Sequence, residues 1–173
     1  MIRNHLDQLE IQGKWDEAVN FAFENRSCVD ALCRCIFYGW YLYLESPCIT
    51  PEPQKTTIDA AQKNLGLIYD AALTSNNPTI LREIGYGMCI APYLFPGNPD
   101  INEHEYPILL KTALQFDPTN MLLQILYDGA FPAKAGKLYS ISENKWITYI
   151  SLLFPSEGEY DRYYRSVLQH RLG

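Results

Sequence analysis

Apolar residues recur at helical spacing along nearly the whole chain. Trp15, Ala18, Val19, Ala22 and Phe23 follow the i, i+3, i+4, i+7, i+8 rhythm of one helix face. The rhythm returns in Leu32, Cys35, Ile36, Gly39, Trp40 and Tyr43, and again in Ile58, Ala61, Leu65, Ile68, Tyr69 and Ala72. Shorter stripes are Leu81–Met88, Tyr106–Leu114 and Met121–Leu126. Trp146, Ile147, Ile150, Leu153 and Phe154 form another, and Tyr160, Tyr163, Tyr164, Val167, Leu168 and Leu172 the last. Nowhere does a period of two persist long enough for a strand. The pattern predicts an all-α fold.

The punctuation between stripes agrees. Gly13 separates a short first helix from the second. Ser27-Cys28-Val29-Asp30 resembles a capping box with Asp in place of Glu, and Ser156-Glu157-Gly158-Glu159 has the regular form. Asp117-Pro118 reads as a cap followed by a proline in the first helical position. Pro47 to Pro53 and Asn76-Asn77-Pro78 read as loops, Pro92 to Asn102 as a longer one, and Phe131 to Ser142 as irregular. About nine helices in antiparallel succession are expected, because most connections are short. The segment from about Val29 to Glu45 is apolar nearly all round and should be the buried centre of the domain. In the last helix, acids at the start (Glu157, Glu159, Asp161) and bases at the end (Arg165, His170, Arg171) match the helix dipole.

Composition narrows the class. The 173 residues make one domain, 1–173, which buries enough surface to fold without disulfides or metal. Apolar residues at 47% and charged residues at 20% are globular proportions. The net charge of −6 argues against nucleic acid and anionic membranes as ligands and permits a basic protein partner. Five cysteines without regular spacing are no disulfide framework, and a reducing cytoplasm is the simplest fit. Residues 1–7 lack the apolar core of a signal peptide, and the longest apolar run, Cys35 to Leu44, falls short of a membrane span. A cytoplasmic location is expected.

Three fragments resemble the tetratricopeptide repeat. Gly13-Lys14-Trp15-Asp16-Glu17-Ala18-Val19 is similar to the turn and second-helix start of that family. Asn64-Leu65-Gly66-Leu67-Ile68-Tyr69 is similar to its first helix, and Ala113-Leu114-Gln115-Phe116-Asp117-Pro118 to its close. The fragments are out of phase with the family's period of about 34 residues. The resemblance therefore implies a repeat-like helical bundle or short solenoid, not a regular array. In overall character the chain also resembles small bacterial immunity proteins of the contact-dependent growth inhibition type. That resemblance implies a tight complex with one cognate toxin domain, often a nuclease with a basic active site.

No familiar catalytic or metal motif stands against this. His104-Glu105-Tyr106-Pro107-Ile108 opens like a zinc-protease helix but lacks the second His, and Pro107 sits where the helix would need to run. Cys33-Arg34-Cys35 lacks ligand spacing and reads as buried thiols. No cofactor, metal or enzymatic activity is expected. Two sets of residues are candidates for a protein interface. Arg34, Tyr38, Tyr41 and Glu45 share one face of the central helix, and Arg and Tyr are enriched at interface hot spots. Asp100, Glu103 and Glu105 follow a long proline-rich loop. The competing readings are interior packing for the tyrosines and a solvated helix start for the acids. The expected function is that of an immunity protein blocking a toxin domain. The alternative is a cytoplasmic adaptor that holds a peptide or helix in a groove.

Overall fold

The computed structural model describes residues 1–129 and 143–169. Among the described residues there are nine α-helices, two short 3-10 turns and no strand. The helices are α1 (Ile2–Ile11), α2 (Trp15–Glu24), α3 (Val29–Glu45), α4 (Lys55–Leu73) and α5 (Pro78–Ile90), then α6 (Pro99–Phe116), α7 (Met121–Gly129), α8 (Glu143–Leu153) and α9 (Glu159–Gln169). The fold is all-α, as the 3.6-residue rhythm requires.

Helix α3 is the centre. Ile36, Phe37 and Leu42 have no exposed surface, and Trp40 has 1%. Helices α1, α2, α4 and α5 all pack on it. A glycine permits a close approach of α4: a Cβ on Gly39 would lie 2.6 Å from the Cβ of Leu65. Gly66, within the repeat-like fragment, faces open space and brings no helix close. From α1 to α7 each helix packs on the next, and α1 also contacts α9. In an open solenoid each unit touches only its neighbours. The contact between α1 and α9 closes the chain into a bundle.

Several boundaries differ from the sequence expectation, each for a local reason. Helix α6 starts at Pro99, well inside the expected loop, because Asn98 caps it by accepting from the Asp100 N–H at 3.0 Å. Pro107 lies inside α6, so proline does not break the helix there. It lacks only one backbone donor, and tertiary packing of Leu110 and Ala113 holds the helix. Asp117 does not open α7. Its carboxylate accepts from the Asn120 side chain at 2.9 Å, and Asn120 caps α7 through the Leu123 N–H. At Ser27–Asp30 no side chain caps α3. At Ser156 the capping carboxylate is Asp161, which accepts the Ser156 N–H at 2.8 Å. The segment Phe131 to Ser142 and the residues His170, Arg171 and Leu172 lie outside the described residues.

Polar groups complete the interior. Arg34, 1% exposed, donates from Nε to Glu10 at 3.0 Å and from a terminal nitrogen to Asp7. Its guanidinium lies 4.7 Å from the ring centre of Tyr160. Glu10 also accepts from the Tyr38 hydroxyl and from the Tyr160 backbone N–H at 3.0 Å. Asp161 pairs with Arg3 at 2.8 Å. Glu83 on α5 accepts from the hydroxyls of Tyr160 at 2.7 Å and Tyr164. The network joins α1, α3, α5 and α9.

Two predictions follow from the core. Trp40→Ala should cost about 3–5 kcal/mol in urea denaturation, as truncation of a large buried aromatic does. A cost below about 0.5 kcal/mol, the level of a neutral surface change, would contradict its burial. The second concerns Glu10. Burial raises its pKa above the ordinary 4.5, against the lowering effects of Arg34, Tyr38 and the Tyr160 N–H. The folded chain then holds this proton to higher pH than the unfolded chain does. The contribution favours folding below the ordinary value and is lost as pH rises through the raised one. Wild type should therefore lose ground relative to Glu10→Gln as pH climbs from 4.5. A pH-independent difference, or one that moves the other way, would count against it.

Candidate protein-binding site

The face of α3 offered by Arg34, Tyr38, Tyr41 and Glu45 turns inward. Arg34 and Tyr38 are 1% exposed and Tyr41 is 5% exposed. Tyr41 stacks on Phe37 with ring centres 4.3 Å apart, and its hydroxyl donates to Glu159. Glu45 is half-buried at the end of the helix. As a docking face this set is corrected. Helices α1 and α9 bring Asp7, Glu10 and Glu159 against it, so an arginine that looks like a surface group is satisfied inside. Burial pushes the hydroxyls of Tyr38 and Tyr41 up from the ordinary tyrosine range, and Glu10 and Glu159 respectively add to this.

The second set also changes shape. Asp100, Glu103 and Glu105 are all helical. Two positions along a helix turn about 200°, so Glu103 and Glu105 point to opposite sides. Asp100 and Glu103 are exposed, and Glu105 is half-buried. Glu105 shares its stripe with Ile101 and Ile108, which are 53% and 61% exposed. The three acids do not form one patch.

A more concentrated acidic surface lies elsewhere, where three distant segments meet. Gly13 takes φ +65°, a left-handed turn that glycine adopts without strain, and the chain passes sharply from α1 into α2. A Cβ there would overlap the Pro51 ring, so Gly13 also lets the segment 50–57 rest on this corner. Trp15 Nε1 donates to the Pro51 carbonyl at 3.1 Å, and the Thr57 hydroxyl donates to Asp16. On the far side of Trp15 stands the start of α9.

Two clefts flank Trp15. One, of about 290 Å³, is lined by Lys14, Asp16, Glu17 and the segment from Pro51 to Gln54. The other, of about 230 Å³, is lined by Ile11, Thr50, Glu157, Glu159 and Arg162, with Glu10 at its floor. Trp15 lines both. Glu17 and Glu157 keep 61% and 77% of their side-chain surface in solvent, and Asp16 and Glu52 are exposed. Only Lys14, 3.4 Å from Glu17, and Arg162, paired with Glu159, supply positive charge among the lining residues. Ile11 adds an apolar side chain that is 51% exposed. Carboxylates around a partly apolar concavity are the chemical complement of a basic, partly apolar surface.

Burial pushes the Cys35 thiol up to about 12, which keeps it protonated and unreactive. Among the described residues no group of three or more His, Cys, Asp or Glu side chains is placed to hold a metal ion. The acids of the double cleft escape the sequence reading because they come from positions 16–17, 52 and 157–159. The turn signals at Gly13 and at Pro51 and Pro53 are visible in the sequence, but their adjacency is not. Glu157 and Glu159 are also masked by the helix dipole, which explains acids at that place without any partner.

Comparison with protein-family models, with curated proteins and with solved structures finds no match to this chain.

Proposed function

We propose that the chain is a protein-binding module, and specifically an immunity protein that neutralises a basic toxin domain through the double cleft around Trp15. One observation carries the reading. Asp16, Glu17, Glu52, Glu157 and Glu159 line the two clefts on either side of Trp15, beside the exposed Ile11, and the cations that oppose them are Lys14, Arg162 and Arg165. A basic active site, such as that of a nuclease, is the complementary partner. The overall charge of −6 works in the same direction.

The division of labour follows from where the groups sit. Glu17, Glu52 and Glu157 face solvent, where salt screens charge over about 8–10 Å. They speed the encounter more than they hold the complex. Ile11 and the cleft walls lose water on docking and supply the lasting affinity.

The test uses a toxin domain encoded beside this chain's own gene, measured by stopped-flow association and by survival of cells expressing that domain. Glu17→Lys with Glu52→Lys should slow association at least about tenfold at low salt, with the gap closing as salt rises. Ile11→Asp should speed dissociation and weaken binding about thirtyfold, as loss of an anchor worth about 2 kcal/mol does. Asp100→Lys with Glu103→Lys, on the separate face of α6, should change neither. If the α6 pair abolishes protection while the cleft variants protect fully, the site is misplaced. The same clefts also favour a second reading, since a basic peptide could occupy either of them. A linear basic peptide that binds as tightly as the folded domain would make the chain an adaptor.

A further inference from the structure

A third cleft, of about 240 Å³, opens between α1, α3, α5 and the junction of α8 with α9. Three arginines from three helices line it: Arg3, Arg34 and Arg82. Val29, Leu153 and Phe154 give it apolar walls, and Asp30 is the one carboxylate among its lining residues. Nothing in the protein-binding reading uses this cleft.

The three guanidinium groups are not equally satisfied. Arg34 is held by Asp7 and Glu10. Arg3, with 33% of its side chain exposed, donates to Asp161 at 2.8 Å and to the Leu153 carbonyl at 3.3 Å. Arg82 is 8% exposed, and one terminal nitrogen serves both Glu83 and the Tyr160 hydroxyl at 3.2 Å. Glu83 is shared in turn, because the Tyr160 and Tyr164 hydroxyls donate to it. The Nε of Arg82 is shut off from solvent and finds no acceptor among the described residues. A buried N–H without an acceptor costs free energy, so native structures supply one or bind something that does.

We infer that this cleft binds a small oxyanion carried on a short apolar stem, with Arg82 and Arg3 as the oxyanion's donors. A guanidinium presents its N–H groups in a planar fork that fits carboxylate and phosphate oxygens. The stem lies against Val29, Leu153 and Phe154. The volume equals about eight liquid-water volumes of ~30 Å³, enough for a carboxylate with a short chain. Of the carboxylates behind the arginines, Asp7, Glu10 and Glu83 are engaged by protein donors, and Asp161 is engaged through Oδ2 while its buried Oδ1 has no donor among the described residues. Arg82, whose one ion pair is the 3.2 Å contact with Glu83, is the most loosely paired of the three arginines that line the cleft. This inference does not depend on the double cleft.

The experiment is a thermal-shift titration of the full chain at fixed ionic strength in chloride, with three probes. Butyrate carries both the oxyanion and the stem, butyramide the stem without charge, and inorganic phosphate the oxyanion without a stem. Butyrate should raise the melting temperature saturably, phosphate less so, and butyramide not at all. Arg82→Gln and Arg3→Gln should each weaken butyrate binding at least about tenfold, as loss of a charge-assisted contact does. Arg3 is partly exposed, so Arg3→Gln keeps the test valid if Arg82→Gln does not fold. In wild type, butyrate should also shift an arginine Nε–H resonance that Arg3→Gln retains. Equal responses to butyrate and butyramide, no saturable response to either anion, or undiminished binding in the variants would overturn the assignment. A response to phosphate that exceeds the butyrate response would overturn the stem.

Discussion

The guanidinium of Arg34 is enclosed by two carboxylates from α1 and by the ring of Tyr160 from α9. Around it the chain's first and last described helices meet on the central one. Glu10 is the shared acceptor: it takes N–H groups from Arg34 and from the Tyr160 backbone, and the hydroxyl of Tyr38. A charge taken out of water is costly unless nearly every donor and acceptor around it is satisfied. That requirement fixes geometry more tightly than apolar packing does, since a methyl group can slide and a guanidinium fork cannot. The register of α1 on α3, and of α9 on both, therefore depends on this one cluster.

The proposed docking surface inherits that dependence. Its walls come from the α1–α2 corner, the segment 50–57 and the start of α9, which Leu9, Trp15 and Tyr160 also anchor in the apolar core. Glu10 lies at the floor of one cleft while its carboxylate is bound into the interior. Tyr41, buried in α3, reaches the same cleft wall through Glu159. The interior network and the acidic surface are thus two sides of one structure. Of the carboxylates on that surface, Glu159 is already held by Tyr41 and Arg162, so binding need not supply its ordering.

Much of the fold was legible in the sequence because helix periodicity is a local signal. Helix α3 begins and ends at the predicted residues, and its all-round apolar character marks it as central. The boundaries that went astray turn on single caps. Asn98-Pro99 opens a helix inside what reads as a loop, and Asn120 does the work expected of Asp117. The candidate site was far less legible. Arg34, Tyr38 and Tyr41 have the chemistry of an interface but are buried, because their acidic counterparts come from α1 and α9. The closure of α1 on α9 decides which polar residues are inside. That contact joins residues some 150 apart, and periodicity does not report it.

The claim that the Arg34 cluster locks the walls of the docking surface has one direct measurement, native-state hydrogen exchange under mild denaturant. Amides of Leu9 and Glu10 in α1 and of Tyr160 and Tyr164 in α9 should open only with global unfolding. Their opening free energies should match those of Ile36 and Phe37 in α3, as expected of one cooperative unit. If α1 or α9 opens at a markedly lower free energy while α3 stays closed, the ends of the chain are not locked, and the cleft between them is not a preformed surface.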